Sequence, residues 1–149
     1  MDIGQALLEA VPFNRTLGIE VVGVTPNAVE LRLPLRPELA NHVGTMHAAA
    51  QYALGEAASG ALNFLIFGAQ LAQLLPLNKQ AQIEYRRPSH GSLIARGELG
   101  DEAIQMVRNA FAREGRAKYS TAVALYDESD LTTVVTVVTV EWVILKRPE

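Results

Sequence analysis

The sequence predicts one antiparallel sheet curled around a single long helix, an α+β architecture, and three observations carry that expectation. Ala48 to Phe67 is alanine-rich and apolar on nearly all sides. The segments around it are strand-like runs of Val, Leu, Ile and Thr, and short turns join the later ones. Only one helix is apolar enough to be enclosed, so the sheet must enclose it. At 149 residues, 49% of them hydrophobic, the chain can form one good core but hardly two, and a single domain over residues 1–149 is expected.

Periodicity places the elements in order. Ile3, Leu7, Leu8 and Val11 recur at helical spacing, and Pro12 is expected to stop that short helix. Ile19 to Val24 and Ala28 to Leu35, separated by Thr25-Pro26-Asn27, read as a hairpin that Pro34 and Pro37 end. A loop from Asn41 to His47, broken at Gly44, leads into the central helix. Beyond Pro76, Asn78 to Arg87 and Ser92 to Leu99 read as strands joined through Pro88-Ser89-His90-Gly91 and are expected to pair antiparallel. Asp101 to Glu114 is a second helix, with Asp101 as its expected N-cap and Gly115 as its stop. Arg116 to Tyr126 and Leu131 to Lys146 are strands. In the last of these, Val134, Val138 and Val140 alternate with Val135, Val137 and Trp142, so both faces look buried.

Composition removes several classes of function. With no cysteine there are no disulfides, thiolate nucleophiles or cysteine-held metals, and with three histidines no metal site is expected. The opening MDIGQALLEAVPF has no basic stretch before its apolar part, so it does not read as a secretory signal, and a cytoplasmic location is expected. A net charge of −3 argues against nucleic acid and for a small-molecule partner. Ala57 to Asn78 carries no Asp, Glu, Lys or Arg. Its Ser, Asn, Gln, Gly and Pro residues nevertheless make it a poor membrane span, because they would be unsatisfied in hydrocarbon.

One residue then stands out. Glu56 is the only Asp, Glu, Lys or Arg between Glu38 and Lys79, and it sits in the middle of the helix that should be enclosed. A buried carboxylate costs desolvation free energy unless it is paired or does chemistry. The competing explanation is a wet stripe, since Tyr52, Glu56, Ser59 and Asn63 recur at helical spacing.

The loop before the helix tips the balance. It reads Asn41-His42-Val43-Gly44-Thr45-Met46-His47-Ala48-Ala49, followed on the helix by Leu54-Gly55-Glu56. This resembles the hotdog-fold thioesterases of the phenylacetyl-CoA and 4-hydroxybenzoyl-CoA type, with their N-x-x-G-x-x-H-G-G loop and L-A-D or L-A-E helix. Leu17-Gly18-Ile19, Tyr85-Arg86-Arg87-Pro88 and Gly115-Arg116 look like further family signatures, so the resemblance covers nearly the whole chain. It is closest to an uncharacterised branch with a short helix, here Asp101 to Arg116, between two strands. One departure is Ala48-Ala49 in place of the family's paired glycines.

The resemblance implies hydrolysis of an acyl-CoA thioester without a separate cofactor, coenzyme A being part of the substrate. The family's catalytic carboxylate falls on Glu56, as general base or as nucleophile. Ala48 at the helix N-terminus becomes the backbone donor to the oxyanion. Asn41 either orients water or the acyl group or is a turn residue, and His47 caps or braces the loop. For the CoA phosphates, residues 79–118 hold eight of the thirteen Lys and Arg, with Arg86 and Arg87 the best placed because adjacent strand residues face opposite ways. Two other readings are a non-catalytic acyl-CoA binder, which Ala48-Ala49 favours, and a dehydratase using His42 and Glu56. In the resembling family two subunits join their sheets side by side and share the site, so a homodimer, or a dimer of dimers, is expected.

Overall fold

The computed structural model describes residues 2–149. The Asp2 carboxylate accepts the backbone N–H groups of Gly4 and Gln5 and so caps α1 (Ile3–Ala10), which buries Leu7. Helix α1 stops before Pro12 as expected, Val11 being extended, the conformation a following proline favours. Pro12 then opens a second helix that was not expected, α2 (Pro12–Leu17). The first turn tolerates proline because its φ is already helical and its missing N–H would have no helical partner. Gly18, at φ 79°, then turns the chain, while Arg36 donates to the freed carbonyls of Thr16 and Leu17.

The hairpin forms as expected: β1 (Glu20–Val24) pairs antiparallel with β2 (Ala28–Leu33). The central helix α3 spans Ala48–Phe67. The chain continues through a 3-10 turn, Gly68–Gln73, into β3 (Leu74–Tyr85), and then through β4 (Leu93–Glu98), α4 (Asp101–Glu114), β5 (Ala117–Asp127) and β6 (Asp130–Lys146). Strand order is β1-β2-β4-β5-β6-β3, with every neighbouring pair antiparallel.

That order corrects the expected β3–β4 pairing. Strand β4 lies between β2 and β5, and β3 lies at the opposite edge against β6. Length explains the choice: the 12-residue β3 finds eleven partners on the 17-residue β6, whereas β4 has only six residues. The crossover is tied down where β6 bulges at Val135, whose carbonyl accepts the N–H groups of both Arg86 and Arg87. The edge position also explains how β3 begins before Pro76, since an edge strand can spare one backbone donor.

Two smaller expectations change. Gly100, not Asp101, is the N-cap of α4. Asp101 and Glu102 stand in its first turn, where negative charge suits the helix dipole, and Asn27 Nδ2 donates to Asp101 at 2.7 Å. In β6, Trp142 shares the inner face with Val138 and Val140, which are buried, while Val137, Thr139 and Val143 on the outer face are half-buried. The outer face is therefore not fully covered within one chain.

The sheet closes tightly on α3. Leu54, Ala57, Ala58, Ala61 and Leu62 are buried against it, and the Arg108 guanidinium of α4 caps the helix by donating to the carbonyls of Leu65 and Ile66. Two glycines set the separation. A Cβ on Gly55 would lie 2.6 Å from Val138 Cβ, and one on Gly97 of β4 would lie 2.7 Å from the Ala58 carbonyl oxygen. The first segment considered as a membrane span is thus divided among α3, the 3-10 turn and β3, and among the described residues no helix is long and apolar enough to cross a membrane.

This contact gives a stability test. Gly97→Ala must push backbone away from backbone and is expected to cost about 1–3 kcal/mol, read as a lower urea midpoint at unchanged slope. Gly100→Ala is the control, because nothing lies within 4 Å of its added carbon. Equal midpoints for the two variants would show that the helix is not held this close.

Candidate active site

Glu56 emerges from the helix toward β3. Its carboxylate is half-buried, and Oε1 accepts from Asn78 Nδ2 at 2.9 Å. Asn78 pairs with Trp142, and beyond a bulge at Lys79 the residues Ala81, Ile83 and Tyr85 pair with the inner-facing Val140, Val138 and Thr136. Directly paired residues share a face, so Asn78, Ala81, Ile83 and Tyr85 form an inner row along the sheet edge. Tyr85 ends that row by donating from its hydroxyl to the Ala48 carbonyl at 2.9 Å. Burial, and after it the charge of Glu56, push the Tyr52 hydroxyl above its usual pKa.

The wet-stripe explanation fails. Ser59 and Asn63 are buried, not solvated. Ser59 Oγ accepts from the Trp142 indole N–H at 3.0 Å and donates to the Glu56 carbonyl, and Asn63 Oδ1 accepts from the Tyr119 hydroxyl at 2.7 Å. Glu56 therefore heads a polar row that points into the protein.

The loop is built around Asn41. Its Oδ1 accepts from the N–H groups of Val43 and Thr45, and its Nδ2 donates to Thr45 Oγ1, so the amide is used within the turn. His47 is the N-cap of α3, its Nδ1 accepting from the Ala49 N–H at 2.9 Å. The neighbouring Ala48 N–H has no such partner and is exposed. Ala48 and Ala49 are unstrained: among the described residues no residue other than glycine has a positive φ. Gln51 braces the same turn, donating to the Met46 carbonyl and accepting from Thr136.

Within one chain these two groups do not meet. The loop borders a cleft of ≈ 370 Å³ that Asn41, Ala48, Tyr85, Arg86 and Arg87 share. Glu56 borders a different cavity, also ≈ 370 Å³, on the side of α1 and Trp142. Eight residues separate Ala48 from Glu56, which at helical rise is about 12 Å. His42 is exposed and lines neither cavity. Arg86 and Arg87 lie just beyond β3, both exposed, Arg86 in an ion pair with Glu84 at 3.0 Å. Of the other basic residues, Arg96 pairs with Glu30 and Glu98 on the outer sheet face, and Arg108 caps α3.

Asn78 and Gln51 join the candidate site without any sequence signal, and Tyr85, noted only within a signature, joins it through its bond to Ala48. Strict alternation from Asn78 would place it with Gln80 and Gln82, and only the bulge at Lys79 puts it in line with Ile83 and Tyr85. A bulge of this kind leaves no periodic signal.

An enclosed helix with a six-stranded antiparallel sheet around it is the hotdog fold. The chain belongs to the family DUF4442, a domain of unknown function, whose profile matches residues 3–144. It is similar to a Pseudomonas aeruginosa protein of unknown function described as a probable thioesterase, at 27% identity and a TM-score of 0.83, covering 97% of this chain and 94% of the other. A Chlorobaculum tepidum protein of unknown function shares 19% identity with a TM-score of 0.86, over 97% and 93% of the two chains. A thioesterase family protein from Silicibacter pomeroyi shares 17% with a TM-score of 0.74, over 97% of each. No curated protein matches the sequence at a significant level.

The Tyr119–Asn63 pair makes a pH test. Burial raises the Tyr119 pKa well above its usual value. The folded state therefore holds this proton where the unfolded chain gives it up. Its stabilisation is complete below the unfolded pKa of about 10 and is lost as pH rises beyond it, by about 1.4 kcal/mol per pH unit. Denaturation curves above pH ~10 are expected to fall less steeply for Tyr119→Phe than for the wild type; parallel curves would show that the hydroxyl is not enclosed.

Proposed function

We propose that this protein hydrolyses acyl-CoA thioesters as a homodimer, with Glu56 of one subunit acting on a thioester held at the α3 N-terminus of the other. The observation that carries this reading is the separation within one chain. A carbonyl that accepts a hydrogen bond from the Ala48 N–H lies far beyond the reach of the same chain's Glu56, about 12 Å along the axis. The two groups become one site only when a second copy brings its own Glu56 to the loop. Strand β3 supports such pairing: it is the sheet edge beside both groups, its outer residues are exposed, and Leu77 and Tyr85 are 45% and 48% exposed.

The chemistry follows from this placement. The free Ala48 N–H and the positive end of α3 stabilise the negative charge that develops on the thioester oxygen. Glu56 either takes a proton from water as it adds to the carbonyl, or adds itself to give an anhydride that water opens. In both routes the carbon–sulfur bond breaks, CoA leaves as its thiol and the acyl group leaves as the acid. Asn78 holds the carboxylate toward the seam, and His47 leaves Ala48 available by engaging the Ala49 N–H instead. Asn41 acts as a positioning residue through the turn it organises. Alanine in place of the family's glycines keeps the donor, because Ala48 lies in unstrained helical backbone. Arg86 and Arg87 border the same cleft as Ala48 and meet the CoA phosphates there. Hydrolysis is favoured over dehydration because His42 points to neither cavity.

Glu56→Gln is expected to abolish CoA thiol release from acyl-CoA while leaving fold and CoA affinity nearly unchanged, because Gln keeps the shape but cannot take a proton. Undiminished release would remove Glu56 from the mechanism, and CoA binding without any release by the wild type would identify a binder. Calorimetry should also show Arg86→Ala or Arg87→Ala weakening CoA binding at low salt and less at high salt. Unchanged affinity in both would move the phosphate site elsewhere. Light scattering at micromolar concentration is expected to give no monomer, and a fully active monomer would overturn the shared site.

A further inference from the structure

The cavity beside Glu56 is not lined like a simple hydrocarbon pocket. Glu56, Gly60 and Asn63 stand at i, i+4 and i+7 on α3, so they share one helix face, and all three line it. Helical rise places Asn63 about 10 Å beyond Glu56 along the axis. Much of the remaining lining is apolar: Leu7 and Val11 from the N-terminal segment, Ala57 and Phe64 from α3, and Trp142 from β6. The Trp142 indole N–H is already used on Ser59, so the ring presents carbon to the cavity. Gly60 keeps the passage open, since a Cβ there would come within 3.3 Å of the Trp142 ring.

The lining is not wholly apolar. Asn63 and Asn14 both line the cavity, and each is only 2% exposed. Asn63 Oδ1 is occupied by the Tyr119 hydroxyl, which burial keeps protonated and therefore a donor, so Nδ2 is the end left over. The Asn14 side chain makes no hydrogen bond to any described residue; its recorded bonds are through its backbone. Neither amide is sealed in protein, because among the described residues the one fully enclosed side-chain polar atom without a partner is Ser89 Oγ. They therefore open on the cavity. Buried amides left unpaired cost free energy that an acceptor atom on a ligand would recover. Among the described residues, Arg147, which is exposed, is the only charged residue besides Glu56 that lines the cavity. A carboxylate beside these amides would lose its hydration without a buried counter-charge, a cost that an uncharged oxygen largely avoids.

We propose that this cavity is an acyl pocket whose two buried amides, Asn14 and Asn63, select acyl groups bearing an uncharged oxygen, hydroxyl or keto, several carbons from the thioester. The inference rests on the acyl-CoA reading above and adds the class of acyl group. An octanoyl chain has a length of the same order as the span from Glu56 to Asn63, which makes its ω-hydroxy form the natural probe.

The test uses the full-length Glu56→Gln protein, in which the substrate survives, and calorimetric titration with octanoyl-CoA, ω-hydroxyoctanoyl-CoA and the corresponding ω-carboxyacyl-CoA. The hydroxy form is expected to bind about tenfold tighter than octanoyl-CoA, the worth of one neutral hydrogen bond, and the carboxy form no tighter. Asn14→Leu, which removes no bond to protein, should reduce the preference, and Asn14→Leu with Asn63→Leu and Tyr119→Phe should remove it. Equal affinity for the three acyl-CoAs, binding of none of them, or a preference that survives the amide replacements would overturn the subsite. Thiol release by the wild-type protein is measured in parallel. Release without the preference sinks the subsite and leaves the hydrolase, while the preference without release sinks the hydrolase and leaves the subsite.

Discussion

The close seating of α3 against the sheet is the constraint on which the rest of the molecule depends. Gly55 faces Val138 and Gly97 faces the Ala58 carbonyl at separations that leave no room for a methyl group, and Ala57, Ala58 and Ala61 continue the small-residue surface. Long side chains there would hold the sheet off the helix and open the core. With the helix this close, polar groups on its inner face are buried and find partners on the strands. That is why Ser59 meets Trp142, Asn63 meets Tyr119 through its Oδ1 and Gln51 meets Thr136. Glu56 is answered by the edge strand instead, through Asn78, and remains half-buried where the other three are buried.

The same straight helix fixes the spacing of the chemistry. Its N-terminus presents an unengaged donor at Ala48, while His47 has claimed the next. Its carboxylate lies about two turns further on, beyond the reach of a single reacting group. A rigid helix cannot shorten that distance by flexing, so the proposed reaction depends on assembly to bridge it. The exposed inner and outer rows of β3 put the bare edge beside both groups, which ties the physical reason for pairing to the location of the site.

Much of this was legible from residues alone, and the failures have physical causes. The enclosed helix and the isolation of Glu56 on it follow from an alanine-rich, nearly uncharged run with one carboxylate in it, and the hairpin from two apolar runs split by Thr25-Pro26-Asn27. The loop motif pointed to the free donor at Ala48 and to the cap at His47. Strand neighbours were misread because periodicity marks where strands lie and says nothing about which strand is long enough to pair with which. The faces of β3 and β6 were obscured by the bulges at Lys79 and Val135, each of which shifts the inward set by one residue. Helix α2 is hidden because a proline that stops one helix and a proline that starts the next look alike in sequence. Asn14 carries no periodic or motif signal, and only burial reveals it as a lining group.

The central claim, that each site is assembled from two subunits, is tested most directly by subunit complementation. Ala48→Pro deletes the proposed donor at the first helical position, where proline is tolerated and where His47 already has the extended backbone that a following proline requires. It is paired with Glu56→Gln, and each variant alone is inactive if both groups are needed. The two proteins are unfolded together, refolded as a mixture and assayed for CoA thiol release. In a mixed dimer one of the two sites draws an intact Glu56 and an intact Ala48 from different chains, so the account predicts that activity returns. If the mixture stays as inactive as its components while mixed dimers are shown to form, both groups serve a site within one chain and the shared-site account is contradicted.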